Sequence, residues 1–211
     1  IIYYFKYYAN NAGTAHLFGF EIGAEALISS FMVAGTAFSI LGTVLLKPMA
    51  AWVGKKNVYI LSMALGTVLS IAYYFLNKDQ ITLMFVFQAL CNFAVGPAMA
   101  MMWSMYADTA DYSELKTGRR ATGLIYSSAN FAQKFGWSIG GAIAGYLLAY
   151  FGFVANAPAT TETETGVRIL FGFMPAIWSL IAVIALFFYN LDEDKVKKIN
   201  NELSNLKNKT K

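Results

Sequence analysis

Charge is scarce in this chain. Only 13% of its 211 residues are Asp, Glu, Lys or Arg, about half the share usual for soluble domains, and the mean hydropathy is +0.49. That shortage excludes an ordinary soluble domain and points to a protein dissolved in lipid. Cysteine and histidine occur once each. Cys91, set in an apolar run, offers neither a disulfide framework nor a metal site and reads as a small buried residue. His16, expected in a loop, has no second ligand type nearby. A nucleophile with its base, an HExxH helix and a phosphate-cradling glycine loop are all absent, so an enzyme reading has no residues to stand on. The net charge of +4 comes from basic residues dispersed among apolar runs, and excludes nucleic acid as a partner. The opening "IIYYFKYY" has no charged n-region and reads as a helix entered partway along rather than a signal peptide.

What the chain does have is long apolar runs. A helix needs about 20 apolar residues to cross the bilayer core. Five stretches qualify, at 24–46, 58–76, 81–105, 123–151 and 167–189, and residues 1–9 read as the end of a sixth. The expected architecture is an all-α membrane bundle over 1–190 followed by a basic tail at 191–211. Lys47, Lys55, Lys56, Lys116, Arg119, Arg120 and the six tail lysines fall on one side, against Lys78 and Arg168 on the other. The positive-inside rule then puts the 106–122 connection and the C-terminus in the cytoplasm of a multi-pass membrane protein. Within the tail, Val196, Ile199, Leu203 and Leu206 form a weak apolar stripe, suited to an anionic leaflet or simply to solvent.

Several polar residues stand where a membrane protein should have none. Lys134 lies about eleven residues into its span, roughly 16 Å deep, where a charge faces a cavity or a partner. Ser127, Asn130 and Gln133 lie on or beside its face at helical spacing. These four are candidate lining of a substrate or cation site, a structural ion pair inside the bundle being the other reading. Gly136, Gly140, Gly141 and Gly145 on the same helix have the spacing of a close helix approach. In the preceding span Gln88, Asn92, Gly96, Met99 and Trp103 form a stripe, with Gly96-Pro97 expected to loosen the helix. Amides and an indole along a cavity hydrogen-bond and stack on a sugar ring; interhelical hydrogen bonding and an interfacial tryptophan are the alternatives. Lys6, with Tyr3 and Tyr7, makes a similar cluster at the start.

The segment "YADTADYSELKTGRRATG", 106–123, carries three carboxylates and three basic side chains amid almost uncharged sequence. The pattern Asp108-x-x-Asp111-Tyr112, then Glu114, Lys116, Gly118 and an arginine, leads into a helix with a midway lysine. It resembles the glycoside–pentoside–hexuronide:cation symporters of the major facilitator superfamily. The resemblance covers the whole chain and implies a C-terminal six-helix bundle, from the end of helix 7 through helix 12. It implies symport of a sugar with Na+ or H+ in a bacterial inner membrane. An amino-terminal six-helix half would then be the partner and would carry the cation ligands. Lys134 falls on the family's helix-11 lysine beside the sugar and cation sites. Asp108, Asp111, Glu114, Lys116 and Arg120 fall on charged positions of a cytoplasmic salt-bridge gate, and Arg119 joins them. Their partners are expected on the other half. Met99 stands where the family's best-known member has a sugar-contacting tryptophan. A lysophospholipid-type symporter and a non-transporting membrane sensor or scaffold are the competing readings.

Overall fold

The computed structural model describes residues 2–5, 8, 14–17, 20–46, 48–154 and 157–209. Lys6, Tyr7 and Lys47 lie outside them. The order is α1 (Ile2–Tyr4), β1 (Thr14–Leu17), β2 (Phe20–Gly23), α2 (Ala24–Leu46), α3 (Met49–Val53), α4 (Lys55–Tyr74), α5 (Ile81–Thr117), α6 (Thr122–Tyr150), α7 (Thr161–Phe187) and α8 (Glu193–Lys209). The chain is an all-α membrane fold with one addition. A small antiparallel ribbon, β1 against β2, links α1 to α2 and places His16 on a strand opposite Glu21 rather than in a loop.

Among the described residues four helices are long and apolar enough to cross a membrane: 25–45, 55–74, 81–117 and 161–187. α6, at 29 residues, is not among them, because Gln133, Lys134 and its glycines dilute the apolar residues. α5 is the spine. It packs on α2 and α4, and α7 packs on α4. At the α2–α5 crossing a Cβ on Gly42 would meet the Phe93 carbonyl, and one on Gly96 would meet the Ser39 carbonyl. The two backbones therefore touch, which only glycine permits. α5 also continues unbroken through buried Pro97.

Two expectations need correction. The 106–122 segment is not a connection: α5 runs on to Thr117 and stops at Gly118, whose φ of 71° ends the helix in the left-handed region. No helix-breaking residue precedes that glycine after Pro97. The α6 glycines also make no close approach within this chain, since a Cβ on Gly136, Gly140, Gly141 or Gly145 would meet nothing within 4 Å among the described residues. None of the residues of α6 is buried among those described.

The core gathers at one end of the bundle, where Tyr4, Phe5, Phe31, Tyr73 and Phe85 are buried. Phe5 meets Phe31 edge-on at 4.7 Å and Phe31 meets Phe85 at 5.1 Å, a favoured aromatic geometry. Tyr8 donates to the Leu76 carbonyl at 2.9 Å. Arg168 donates to the Tyr74 carbonyl at 2.5 Å, satisfying an open carbonyl at the end of α4.

Candidate functional site

The end of the bundle opposite this aromatic core is held by charge. Asp108, only 7% exposed on α5, accepts the Lys55 ammonium on both carboxylate oxygens, at 2.8 and 2.7 Å. Lys55 opens α4, where the helix dipole disfavours a cation; the facing carboxylate offsets that penalty. Lys56 donates to the Tyr189 carbonyl just past α7 at 2.6 Å and lies 3.7 Å from Asp192. Tyr189 donates to the Met105 carbonyl at 3.4 Å. One short run of two lysines thus ties α4 to both α5 and the end of α7.

Three and six residues further along α5 the partners change. Asp111 pairs with Arg120 at 2.7 Å. Glu114 lies 3.8 Å from Arg120 and 3.1 Å from Lys207 of α8. The turn that returns Arg120 over α5 is braced by the Ser113 and Thr117 hydroxyls, which donate to the Arg119 carbonyl at 3.4 and 3.3 Å. Lys116 sits 5.8 Å over the Tyr112 ring. The Arg119 guanidinium makes no hydrogen bond or ion pair among the described residues. Asp108, Asp111 and Glu114 therefore all find partners within the chain, whereas they were expected to pair across to another half. α8 adds Val196, Ile199 and Leu203, all buried, and packs on α5. Leu206, the fourth member of the stripe, is 53% exposed. The sequence reading counted Lys55, Lys56 and Lys207 only toward sidedness and passed over Tyr189. The 196/199/203 spacing was the one available signal for α8.

The polar stripe divides into three groups. Gln88 and Asn92 turn toward α2, their side-chain nitrogens 3.1 Å from where a Cβ on Gly35 would stand. Asn92 also donates to the Gln88 carbonyl at 2.9 Å, so these amides serve helix packing. Met99, Trp103 and Gln133 do meet, lining a cavity of about 300 Å³ between α4, α5 and α6 with Tyr59 and Tyr106. Trp103 stacks on Tyr126 at 5.8 Å and 21°, and meets Tyr106 edge-on at 5.7 Å. The Tyr126 hydroxyl donates to the Trp103 carbonyl at 3.4 Å. These three tyrosines were missed, because their spacing on separate helices carries no local pattern. Ser127, Asn130 and Lys134 form the third group, exposed on the open face of α6. The Lys134 ammonium has no partner among the described residues, so the structure contains no ion pair for it. Tyr3 lines a different cavity, with Gly141, Gly145 and Phe171, and meets Phe153 edge-on at 5.1 Å.

Among the described residues no three His, Cys, Asp or Glu side chains cluster as metal ligands. The arrangement offers instead an aromatic and amide-lined cavity, an open cationic face beside it, and a neutralised charged end.

A family model described as MFS/sugar transport protein matches residues 1–193. The glucuronide carrier protein homolog of Escherichia coli (strain K12) is 34% identical over 173 residues, covering 80% of this chain and 38% of that protein. The isoprimeverose transporter of Lactiplantibacillus pentosus is 28% identical over 202 residues, covering 94% and 41%. A putative glycoside/cation symporter of Escherichia coli (strain K12) is 26% identical over 178 residues, covering 84% and 39%. The chain spans about two fifths of the length of these relatives.

Proposed function

The chain belongs to the MFS/sugar transport protein family, and on that premise we propose that it forms one half of a secondary active transporter. The cargo is a glycoside, pentoside or hexuronide, carried with Na+ or H+ by alternating access. The chain is not an enzyme. The observation that supports this reading best is the cavity that Trp103 and Gln133 both line between α4, α5 and α6, which offers an indole and an amide to one ligand. Lys134 stands one residue on, exposed and unpartnered, available to a hydroxyl or carboxylate of the sugar or to a carboxylate of a second bundle.

In this reading two six-helix bundles rock about a midplane site, the second supplying the cation ligands. The charged end lies in the cytoplasm of a bacterial cell membrane. Asp111, Glu114, Lys116 and Arg120 form one side of the inner gate, and Asp108 positions the end of α5 through Lys55. Exposed pairs of this kind are each worth about 0–1 kcal/mol. They bias a two-state equilibrium without locking it.

The test is uptake of labelled glycosides, pentosides and hexuronides by the full-length transporter in proteoliposomes, with imposed Na+ or H+ gradients. Accumulation of at least one sugar that collapses with one gradient is expected. Gradient-independent equilibration would reject symport, and no uptake of any sugar class would reject the cargo.

A further inference from the structure

On the far side of the Tyr59–Tyr106 pair, a second cavity of about 740 Å³ opens between α6 and α7. It shares Tyr59, Met102, Tyr106 and Ala129 with the smaller one. Its remaining wall is mostly aliphatic, with Leu124 and Ile125 from α6 facing Ala182, Ala185 and Leu186 from α7. Leu124 at its mouth is 70% exposed. Apolar cavities of about 150 Å³ stay dry, and an empty one forfeits the dispersion contacts of its whole lining. In a bilayer the apolar matter at hand is the acyl chain.

Polar groups stand in the wall of this space and, outside the lining itself, in the turn before α6. The hydroxyls of Tyr59, Tyr106 and Ser128 make no hydrogen bond to any described group, and hydroxyls at membrane depth need partners. Tyr59 is four residues, about 6 Å, from the start of α4, the depth of the interface rather than the midplane. Arg119, whose guanidinium is likewise unpartnered, stands in the turn that leads into α6.

We propose that this cavity is a binding site for a phospholipid of the leaflet at the α8 end. One acyl chain lies between α6 and α7, an ester carbonyl accepts from the tyrosine and Ser128 hydroxyls, and the phosphate pairs with Arg119. The lipid wedges α6 away from α7 beside the cavity of Gln133. This inference uses only the membrane location, and holds whichever sugar is carried.

The test uses the protein in membranes with phosphatidylglycerol bearing a mid-chain diazirine, the labelled peptides being identified by mass spectrometry. Label concentrated on 122–132 and 182–189 is expected; even labelling of all exposed apolar helix faces would overturn the site. Ala129→Phe with Ala185→Phe fills the cavity and should reduce that label to the level of the other faces, with helix content unchanged by circular dichroism. Arg119→Gln removes a surface group that holds nothing in the fold. It should lower phosphatidylglycerol retention in native mass spectrometry about fivefold, and unchanged retention would overturn the phosphate contact. Loss of label on adding a glycoside with an apolar aglycone would overturn the phospholipid as occupant and assign the space to the cargo.

Discussion

Asp108 and Arg120 sit in the same charge-rich segment, but their surroundings give their ion pairs different weights. The Asp108 side chain is 8% exposed and its partner Lys55 25%, whereas Arg120 is 49% exposed. Breaking a buried pair costs about 3–5 kcal/mol because a charge is left stranded. With Lys55 partly in water, Asp108→Asn should cost about 3 kcal/mol, the lower end of that range. Arg120→Gln should cost no more than about 1 kcal/mol. Thermal unfolding in detergent checks the order, and Lys55→Met combined with Asp108→Asn should recover part of the loss, because the stranded charge is gone. Equal effects of Asp108→Asn and Arg120→Gln would contradict the assignment. Lys134→Gln tests the opposite case. An exposed, unpartnered side chain should change stability by less than about 0.5 kcal/mol, while transport by the full-length protein falls at least tenfold. Unfolding shifts that track the transport loss would make Lys134 structural. The charges themselves were legible in the sequence, because six charges of mixed sign within eighteen residues stand out against apolar flanks. Their partners were not. Lys55 and Asp108 are 53 positions apart, and only the packing of α4 on α5 brings them together.

At the scale of elements, glycine distinguishes the fixed helices from the loose one. Gly42 and Gly96 place the backbones of α2 and α5 in contact, so Gly96→Leu forces them apart. A cost of at least about 1–3 kcal/mol is expected from such overpacking, whereas Gly140→Leu on α6 should leave unfolding unchanged. A matching loss for Gly140→Leu would show that α6 is packed after all. Sequence spacing favoured the wrong glycines, since Gly136, Gly140, Gly141 and Gly145 have the regular four-residue interval and Gly42 and Gly96 lie alone on separate helices. Span positions were easier to read than helix ends. Hydropathy marks where lipid stops, and α5 passes that point by about three turns before Gly118 halts it. The tail shows the same limit from the other side. Its apolar stripe was visible and suited leaflet or solvent, whereas its packing on α5 shows only in the burial of Val196, Ile199 and Leu203. Leu203→Asp, which puts a charge at a 7% exposed position, should release α8 and raise amide exchange over 193–209 without changing exchange in α2. Unchanged exchange across α8 would show that the contact is not what holds it.

For the molecule as a whole, these differences divide the chain into a rigid frame and one lightly held helix. α2, α4, α5 and α7 interlock through glycine contacts and the aromatic core, while α6 packs sparsely, chiefly on α5 and α7, and buries none of its described residues. Packed interfaces are bistable rather than continuously deformable, and within this chain α6 is the helix whose position depends most on what lies outside it: the proposed second bundle and the cargo. Spin labels on a background with Cys91 and any cysteine outside residues 1–211 replaced can separate the two. A pair at Ile40 of α2 and Val86 of α5, both exposed at 60% and 42%, reports the frame. A pair at Trp137 of α6 and Ile184 of α7, exposed at 70% and 50%, reports the loose helix. Under the proposed function, adding the sugar and its cation to the full-length protein should narrow and shift the Trp137–Ile184 distance distribution and leave the Ile40–Val86 distribution unchanged. Equal shifts in both would mean that the bundle flexes as one body. A fixed Trp137–Ile184 distance would mean that α6 is already locked, and Lys134 with it, before any cargo arrives.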